Sequence, residues 1–163
     1  METIGVVGVS FRRDGSDALS RLTIPKEERV ERLPSMARLL DVEELVYLAT
    51  CNRVEVIFKG RKSTPIEDYR KRVFKALTGA EPQPGEAERT LRAWAGEGAL
   101  EHLFLVASGL DSAQLGEEEI RTPVREALKM ARTADVVGPV LEQVVTVGLR
   151  LGSDINKQLQ TCV

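Results

Sequence analysis

Two runs of strand-forming residues lie almost end to end, Val42 to Thr50 and Arg53 to Lys59, with only Cys51 and Asn52 at the junction between them. In the second run Val54, Val56 and Phe58 alternate with Glu55 and Ile57, a period of two that gives a strand with one mostly apolar face. This pair fixes the middle of the chain as strand–strand. Upstream, residues 3–9 are β-branched and glycine-rich, a further strand, and the polar, glycine-containing stretch Phe11 to Ser20 reads as a loop. Pro25 followed by Lys26-Glu27-Glu28 predicts a helix start, because proline is tolerated in the first turn and acids suit the positive end of the dipole. That helix runs to about Leu40, with Pro34 predicting a break or kink. Downstream come a helix over Pro65 to Leu77, a loop at Pro82-Gln83-Pro84-Gly85 and a short last strand over Thr90 to Ala95. The order βαββαβ predicts a ferredoxin-like α/β sandwich with an antiparallel sheet over residues 1–95.

Beyond about Gly96 the chain turns helical. Glu97 to Ser108 and Glu117 to Ala134 read as two helices, a helical part over residues 96–137, and Gly138-Pro139 opens a third over residues 138–163. In that third helix Leu141, Val144, Gly148, Leu151, Ile155 and Leu159 form one apolar stripe. Such a stripe wants a neighbour, either the preceding helices or a second copy of the chain in a homodimer.

The chain has 163 residues, with 23 Lys plus Arg against 25 Asp plus Glu and a net charge of −2. This excludes a wholesale polycation, though not a local basic face. No apolar run approaches a membrane span, and the N-terminal apolar stretch lacks the basic residues of a signal peptide. With only Cys51 and Cys162, the expectation is a cytoplasmic protein of a reducing compartment without a disulfide framework. No zinc spacing of Cys and His, no Gly-x-Gly-x-x-Gly after a strand and no phosphate loop occurs, so neither a metal nor a dinucleotide site is expected within these residues.

Three groups of residues carry chemistry. In Ala49-Thr50-Cys51-Asn52-Arg53-Val54-Glu55 a thiol sits between strands with a cation two residues on, a setting that favours the nucleophilic thiolate. The alternative is a small buried hydrophobe. His102 is the one histidine, a candidate general acid or base if it faces the thiol across the fold, and otherwise a helix histidine bonded to a carbonyl. Asp111 and Ser112, ahead of a helix, are at least caps. Thirdly, Arg53 to Lys75 holds eight basic residues against three acids, a surface suited to phosphates or simply a solvated helix face.

The stretch Ala49-Thr50-Cys51-Asn52-Arg53-Val54-Glu55 resembles the Ser-Thr-Cys-Asn-Arg-x-Glu signature of the glutamyl-tRNA reductases. His102-Leu103-Phe104-Leu105-Val106-Ala107-Ser108-Gly109-Leu110-Asp111-Ser112, followed by Leu115-Gly116-Glu117, is similar to that family's second signature, in the same order and at about the same spacing. With Val137-Gly138-Pro139-Val140-Leu141 at the start of the last helix, the likeness covers nearly the whole chain. It implies an enzyme that reduces glutamate carried on its tRNA to glutamate-1-semialdehyde with NADPH, the first committed step of tetrapyrrole synthesis by the five-carbon route. It further implies Cys51 as the nucleophile that forms a glutamyl thioester and Arg53 as the substrate-recognising arginine. Thr50, Asn52, Ser112 and Glu117 would line the same pocket, with His102 helping the tRNA hydroxyl to leave. The family continues through a nicotinamide-binding domain and a dimerising helical domain joined by a long, spinal-type helix. The resemblance thus implies a catalytic domain plus the start of that helix, NADPH held elsewhere, and glutamyl-tRNA and the next pathway enzyme, glutamate-1-semialdehyde aminomutase, as partners. By itself such a fragment is at most an esterase.

The family's early Asn/Ser-His-Lys-Thr-Ala-Pro motif is here Ser10-Phe11-Arg12-Arg13-Asp14-Gly15, and its Pro-Gln-Ile-x-Gly-Gln after Gly116-Glu117 is here Glu118-Glu119-Ile120-Arg121-Thr122-Pro123. These changes motivate an alternative, a non-catalytic stand-alone relative that binds tRNA or a partner protein. A thiol hydrolase of another acyl ester is a third reading, which leaves Arg53 without a reason.

Overall fold

A computed structural model describes residues 4–61, 64–109 and 120–161. Four strands, β1 (Ile4–Ser10), β2 (Val42–Ala49), β3 (Arg53–Gly60) and β4 (Arg92–Ala95), form one sheet in the order β2-β3-β1-β4. Every neighbouring pair is antiparallel, with Ser10 opposite Arg53 and Gly8 opposite both Glu55 and Arg92. The helices are α1 (Phe11–Leu22), α2 (Arg29–Leu40), α3 (Ile66–Thr78), α4 (Glu86–Thr90), α5 (Glu97–Ser108), α6 (Arg121–Thr133) and α7 (Pro139–Thr161).

Both faces of the sheet are covered, so β3 is buried along nearly its whole length. On one face Phe58 meets Tyr69 of α3 with ring centroids 4.4 Å apart. There too the Tyr47 hydroxyl accepts from the Ile24 N–H at 2.9 Å and donates to the Leu22 carbonyl at 3.0 Å. Burial pushes the Tyr47 phenol up from its ordinary range, partly opposed by the Ile24 hydrogen bond. On the opposite face Val46, Leu48 and Ile57 pack with Leu103 of α5, Val124 of α6 and Val144 of α7. Full burial of Phe58 and Phe74, each worth about 1.5–3 kcal/mol, anchors the first layer.

Three expectations are corrected. The stretch Phe11 to Ser20 is not a loop but most of α1, broken at Gly15, whose φ of 85° and ψ of 175° interrupt the helix. Its start is held reciprocally, with Arg13 N–H donating to Ser10 Oγ at 3.4 Å and Ser10 N–H donating to Asp14 Oδ2 at 3.1 Å. Leu19 and Leu22 then bury a face that the polar composition hides. Pro34 does not break α2, which runs on to Leu40. One missing backbone bond is outweighed by burial of Leu33, Met36 and Leu40. On α7 the expected apolar stripe holds at Leu141, Val144 and Gly148 and departs at Leu151. Leu141 and Val145 are buried while Leu151 is exposed, and contact with α5 runs through Gly148 and Gly152. A Cβ at Gly148 would lie 2.9 Å from Ala107 Cβ, and one at Gly152 would lie 2.8 Å from Ser108 Cα, so these helices cross too closely for side chains. The helical reading of residues 117–119 lies outside the described residues, and α6 is described from Arg121.

The last helix is tied to the sheet by a buried carboxylate. Glu44 on β2 accepts from the N–H groups of Gly138 and Leu141, each at 2.8 Å, and of Val140 at 3.3 Å. The adjacent Leu45 N–H donates to the Val136 carbonyl at 2.8 Å. Negative charge at a helix N-terminus satisfies otherwise orphaned donors and opposes the dipole's positive end. No helix among the described residues is long and apolar enough to cross a membrane.

Candidate active site

The turn between β2 and β3 is short because the Thr50 side chain substitutes for backbone. Its Oγ1 accepts from the N–H groups of Asn52 at 3.1 Å and Arg53 at 3.2 Å, while Thr50 N–H donates to the Arg53 carbonyl at 2.8 Å. The Asn52 carbonyl accepts from Phe11 N–H at 2.8 Å, which ties this turn to the end of β1. Cys51 is held in that turn, exposed, with a free thiol. It is not walled into the core.

Beside the turn lies an open cleft of about 340 Å³. Its floor follows from strand register. Arg53 and Glu55, two apart on β3, point to one face. Gly8 stands between Glu55 and Arg92 across three strands. The lack of a side chain at Gly8 opens the floor, since a Cβ there would fall 2.2 Å from the Val54 carbonyl oxygen and 2.9 Å from Glu55 Cγ. Arg53, Glu55, Arg92, Trp94, Glu101 and His102 all line the cleft, with Ser10 at the Arg53 end.

The side chains here are mutually ordered. Glu55, buried, accepts through Oε1 from Arg53 Nη1 at 3.3 Å, and its Oε2 bonds His102 Nε2. With Glu55 as the carboxylate, His102 donates from Nε2–H, which fixes the neutral ring's tautomer and leaves Nδ1 as the basic nitrogen. The His102 ring stacks on Trp94 with centroids 3.7 Å apart and planes 11° from parallel. The Arg92 guanidinium carbon lies 4.9 Å from the centre of the same indole.

The site residues expected from sequence divide accordingly. Arg53 and His102 come together through Glu55 in the cleft. Thr50 and Asn52 build the turn, and neither they nor Cys51 belong to the cleft lining. Two Cα–Cα steps of about 3.8 Å nevertheless keep Cys51 within about 7.6 Å of the Arg53 backbone. Ser112 and Glu117 lie outside the described residues, as do Asp111 and Cys162. Arg92, Trp94 and Glu101 do not stand out as site residues in the sequence, and Glu55, though it closes the first signature, is not among the site residues expected from it. Glu55 has a readable signal, a carboxylate in mid-strand opposite the Val54-Val56-Phe58 face, which becomes informative once both faces are covered.

The basic stretch is less available than its composition implies. Arg53 pairs with Glu55, Lys59 with Glu43, Arg61 with Asp41, Arg70 with Glu67 and Lys75 with Glu81, while Arg72 donates to the Leu40 carbonyl. The Lys59 ammonium holds the Glu43 carboxyl below its ordinary range. Among the described residues, no group of three or more His, Cys, Asp and Glu could hold a metal ion.

Comparison with known proteins bears on this arrangement. The family model described as glutamyl-tRNAGlu reductase, N-terminal domain, matches residues 7–159. The chain is 32% identical over 158 residues to the glutamyl-tRNA reductase of Aquifex aeolicus (strain VF5), spanning 97% of this chain and 38% of that protein. It is 33% identical over 150 residues to that of Thermomicrobium roseum, spanning 92% of this chain and 36% of the relative. The solved glutamyl-tRNA reductase from Methanopyrus kandleri superposes with a TM-score of 0.76 at 25% identity, covering 97% of this chain and 35% of that one. The chain thus spans little more than a third of the length of these relatives. By the match of its family model, the chain belongs to the glutamyl-tRNA reductase family, of which it carries the N-terminal domain.

Proposed function

We propose that this chain binds the glutamyl group of glutamyl-tRNA and forms a thioester through Cys51. The reading is carried by an exposed thiol in a rigid turn, two residues from a cleft in which Arg53, Glu55 and His102 are bonded together. In the proposed step, Cys51 Sγ as thiolate attacks the ester carbonyl carbon. The C–O bond to the tRNA ribose breaks, the S–C bond forms, and the departing oxygen takes a proton. Nδ1 is the His102 atom through which a proton would move, since Nε2 is engaged by Glu55. Thr50 would act by shaping the turn that presents the thiol, and Arg53 by offering a planar fork to the substrate.

Reduction by NADPH is proposed for the family enzyme as a whole. These residues do not fit a dinucleotide. Gly5 and Gly8 lie within an antiparallel strand rather than in a turn that opens a helix, and a Cβ at Gly5 would meet the Phe58 ring at 2.5 Å. The chemistry proposed for these residues therefore stops at the thioester. We also propose a ferredoxin-like subdomain over 1–95, a helical part over 96–137 and the start of a connecting helix from 138. The β2-β3-β1-β4 order supports the first, and the Glu44 tie at Gly138 supports the last boundary.

The test is single-turnover deacylation of glutamyl-tRNA. The parent chain is expected to release glutamate slowly, by water attack on the thioester, and Cys51→Ser to lose nearly all of that release. Equal rates for the two would refute the nucleophile assignment.

A further inference from the structure

We infer that Phe11 is the stacking platform for the 3′-terminal base of the tRNA, with Arg12 meeting the phosphate that joins that nucleoside to the next. The inference deepens the proposed function and rests on it for the identity of the nucleic acid. An ester on the terminal ribose of a tRNA puts the base of that same nucleoside within one nucleoside's span of the attacking sulfur. A residue that holds the base must therefore stand beside the Cys51 turn, and Phe11 does. Its N–H donates to the Asn52 carbonyl at 2.8 Å, and standard backbone dimensions then keep its Cα within about 10.5 Å of the Cys51 Cα. Ser10, the preceding residue, lines the cleft.

An exposed phenylalanine by itself is ordinary. Phe11 is singled out because it is the one exposed aromatic among the described residues, 47% exposed, and it stands at this place. Tyr47, Phe58, Tyr69 and Phe74 are buried, Phe104 is half-buried, and Trp94 already stacks on His102. The Phe11 backbone is fixed before any ligand arrives, by the Asn52 bond and by the Ser10 and Asp14 cap of α1, so stacking costs little ordering. Stacking on an aromatic ring is the usual way in which an unpaired RNA base is held. Arg12, next in the chain, is exposed and makes no hydrogen bond or ion pair among the described residues, whereas Arg13 pairs with Asp14 at 3.6 Å. Arg12 thus offers a full positive charge to a phosphate oxygen. Both positions lie in Ser10-Phe11-Arg12-Arg13-Asp14-Gly15, where the chain departs from its family's early motif, so the inferred contact is this chain's own.

The probe is an RNA trinucleotide of two cytidines and a 3′-terminal 2-aminopurine riboside, which copies the acceptor end, carries no ester and loses fluorescence when its base stacks. The parent chain is expected to quench it on binding. Phe11→Ala and Phe11→Leu should each weaken binding about 5–100-fold, the span of base–aromatic stacking, and abolish the quench. Leucine keeps an apolar side chain without the ring, and Phe11→Tyr should restore both readouts. Arg12→Ala should weaken binding and lower the slope of log affinity against log salt by about 0.7, the share of one phosphate contact on a single strand. In Cys51 acylation, the half-saturating concentration of glutamyl-tRNA should rise in step with the trinucleotide's dissociation constant. A parent chain that does not quench the probe, or a Phe11→Leu chain that binds and quenches it as the parent does, would overturn the assignment. Quenching that depends on Phe11 with no adduct on Cys51 would sink the thioester reading and leave this one standing. Cys51 acylation that does not depend on Phe11 would do the reverse.

Discussion

Replacing Glu44 with alanine should detach the first turn of α7 from the sheet. The buried carboxylate accepts from three backbone donors, Gly138 and Leu141 at 2.8 Å and Val140 at 3.3 Å. Pro139 has no N–H, and Glu142 N–H already donates to the Gly138 carbonyl at 3.1 Å, so Glu44 serves the donors that the helix itself leaves over. At a net value of about 1 kcal/mol per bond the three contribute about 3 kcal/mol. The favourable placement of charge at the helix start adds up to about 2 kcal/mol. Glu44→Ala should therefore cost about 3–5 kcal/mol, a large share of the roughly 5–15 kcal/mol that holds a domain together. Glu44→Gln keeps an acceptor oxygen but loses the charge and turns an NH₂ toward one donor, and should cost about 1–2 kcal/mol. Urea unfolding gives both values. Amide exchange at Gly138, Val140 and Leu141 should accelerate in the alanine variant before global opening does. A loss below about 1 kcal/mol for Glu44→Ala, with those amides still protected, would mean that Glu44 does not hold the helix start.

Glu55→Gln should leave His102 without its fixed tautomer. Imidazole ¹⁵N shifts are expected to show Nε2–H in the parent and a mixture in the variant. Glu55→Ala should further cost about 3–5 kcal/mol in denaturant unfolding, because it removes the buried carboxylate that Arg53 Nη1 and His102 Nε2 both bond. Gly8→Ala should destabilise by about 1–3 kcal/mol in the same assay, since its Cβ meets backbone at Val54 that cannot swing away. The same variant should disturb the His102 shifts by displacing Glu55. Tyr47 has a phenol pKa raised by burial, so its contribution to stability is complete below the ordinary value of 10.0 and is lost as pH rises through the folded-state value. Tyr47→Phe should flatten that alkaline loss and cost about 1–3 kcal/mol at neutral pH by orphaning the Ile24 N–H, as denaturant curves at several pH values will show.

The legible parts of the molecule are those in which local pattern and burial agree. The alternation in β3, the junction at Cys51 and Asn52 and the proline-led start of α3 each carry their own signal in a few residues, whereas α2 begins at Arg29, after a 3-10 turn over Lys26–Glu28. Where tertiary contacts decide, the sequence misleads. The segment Phe11 to Ser20 is polar enough to read as a loop, yet it is helical because Ser10 and Asp14 cap it and Leu19 and Leu22 lie against the sheet. The register of the α7 stripe is set by how closely α5 approaches, so Gly148 and Gly152, not Leu151, form the contact. The cleft divides in the same way. Cys51, Arg53 and His102 stand out as residue types in recognisable strings. Arg92, Trp94 and Glu101 enter only because β4 pairs with β1 opposite Gly8 and α5 folds back over that edge, relations between segments that no local window contains. Glu44 is likewise unreadable in β2, because its partners lie nearly a hundred residues on.

Whether Cys51 takes the glutamyl group is read by intact-mass and peptide mass spectrometry of the chain after brief incubation with glutamyl-tRNA and acid quench. An added glutamyl mass is expected on Cys51, removed by hydroxylamine and absent from Cys51→Ser. A chain that binds the charged tRNA and is never acylated at Cys51 would contradict the thioester mechanism.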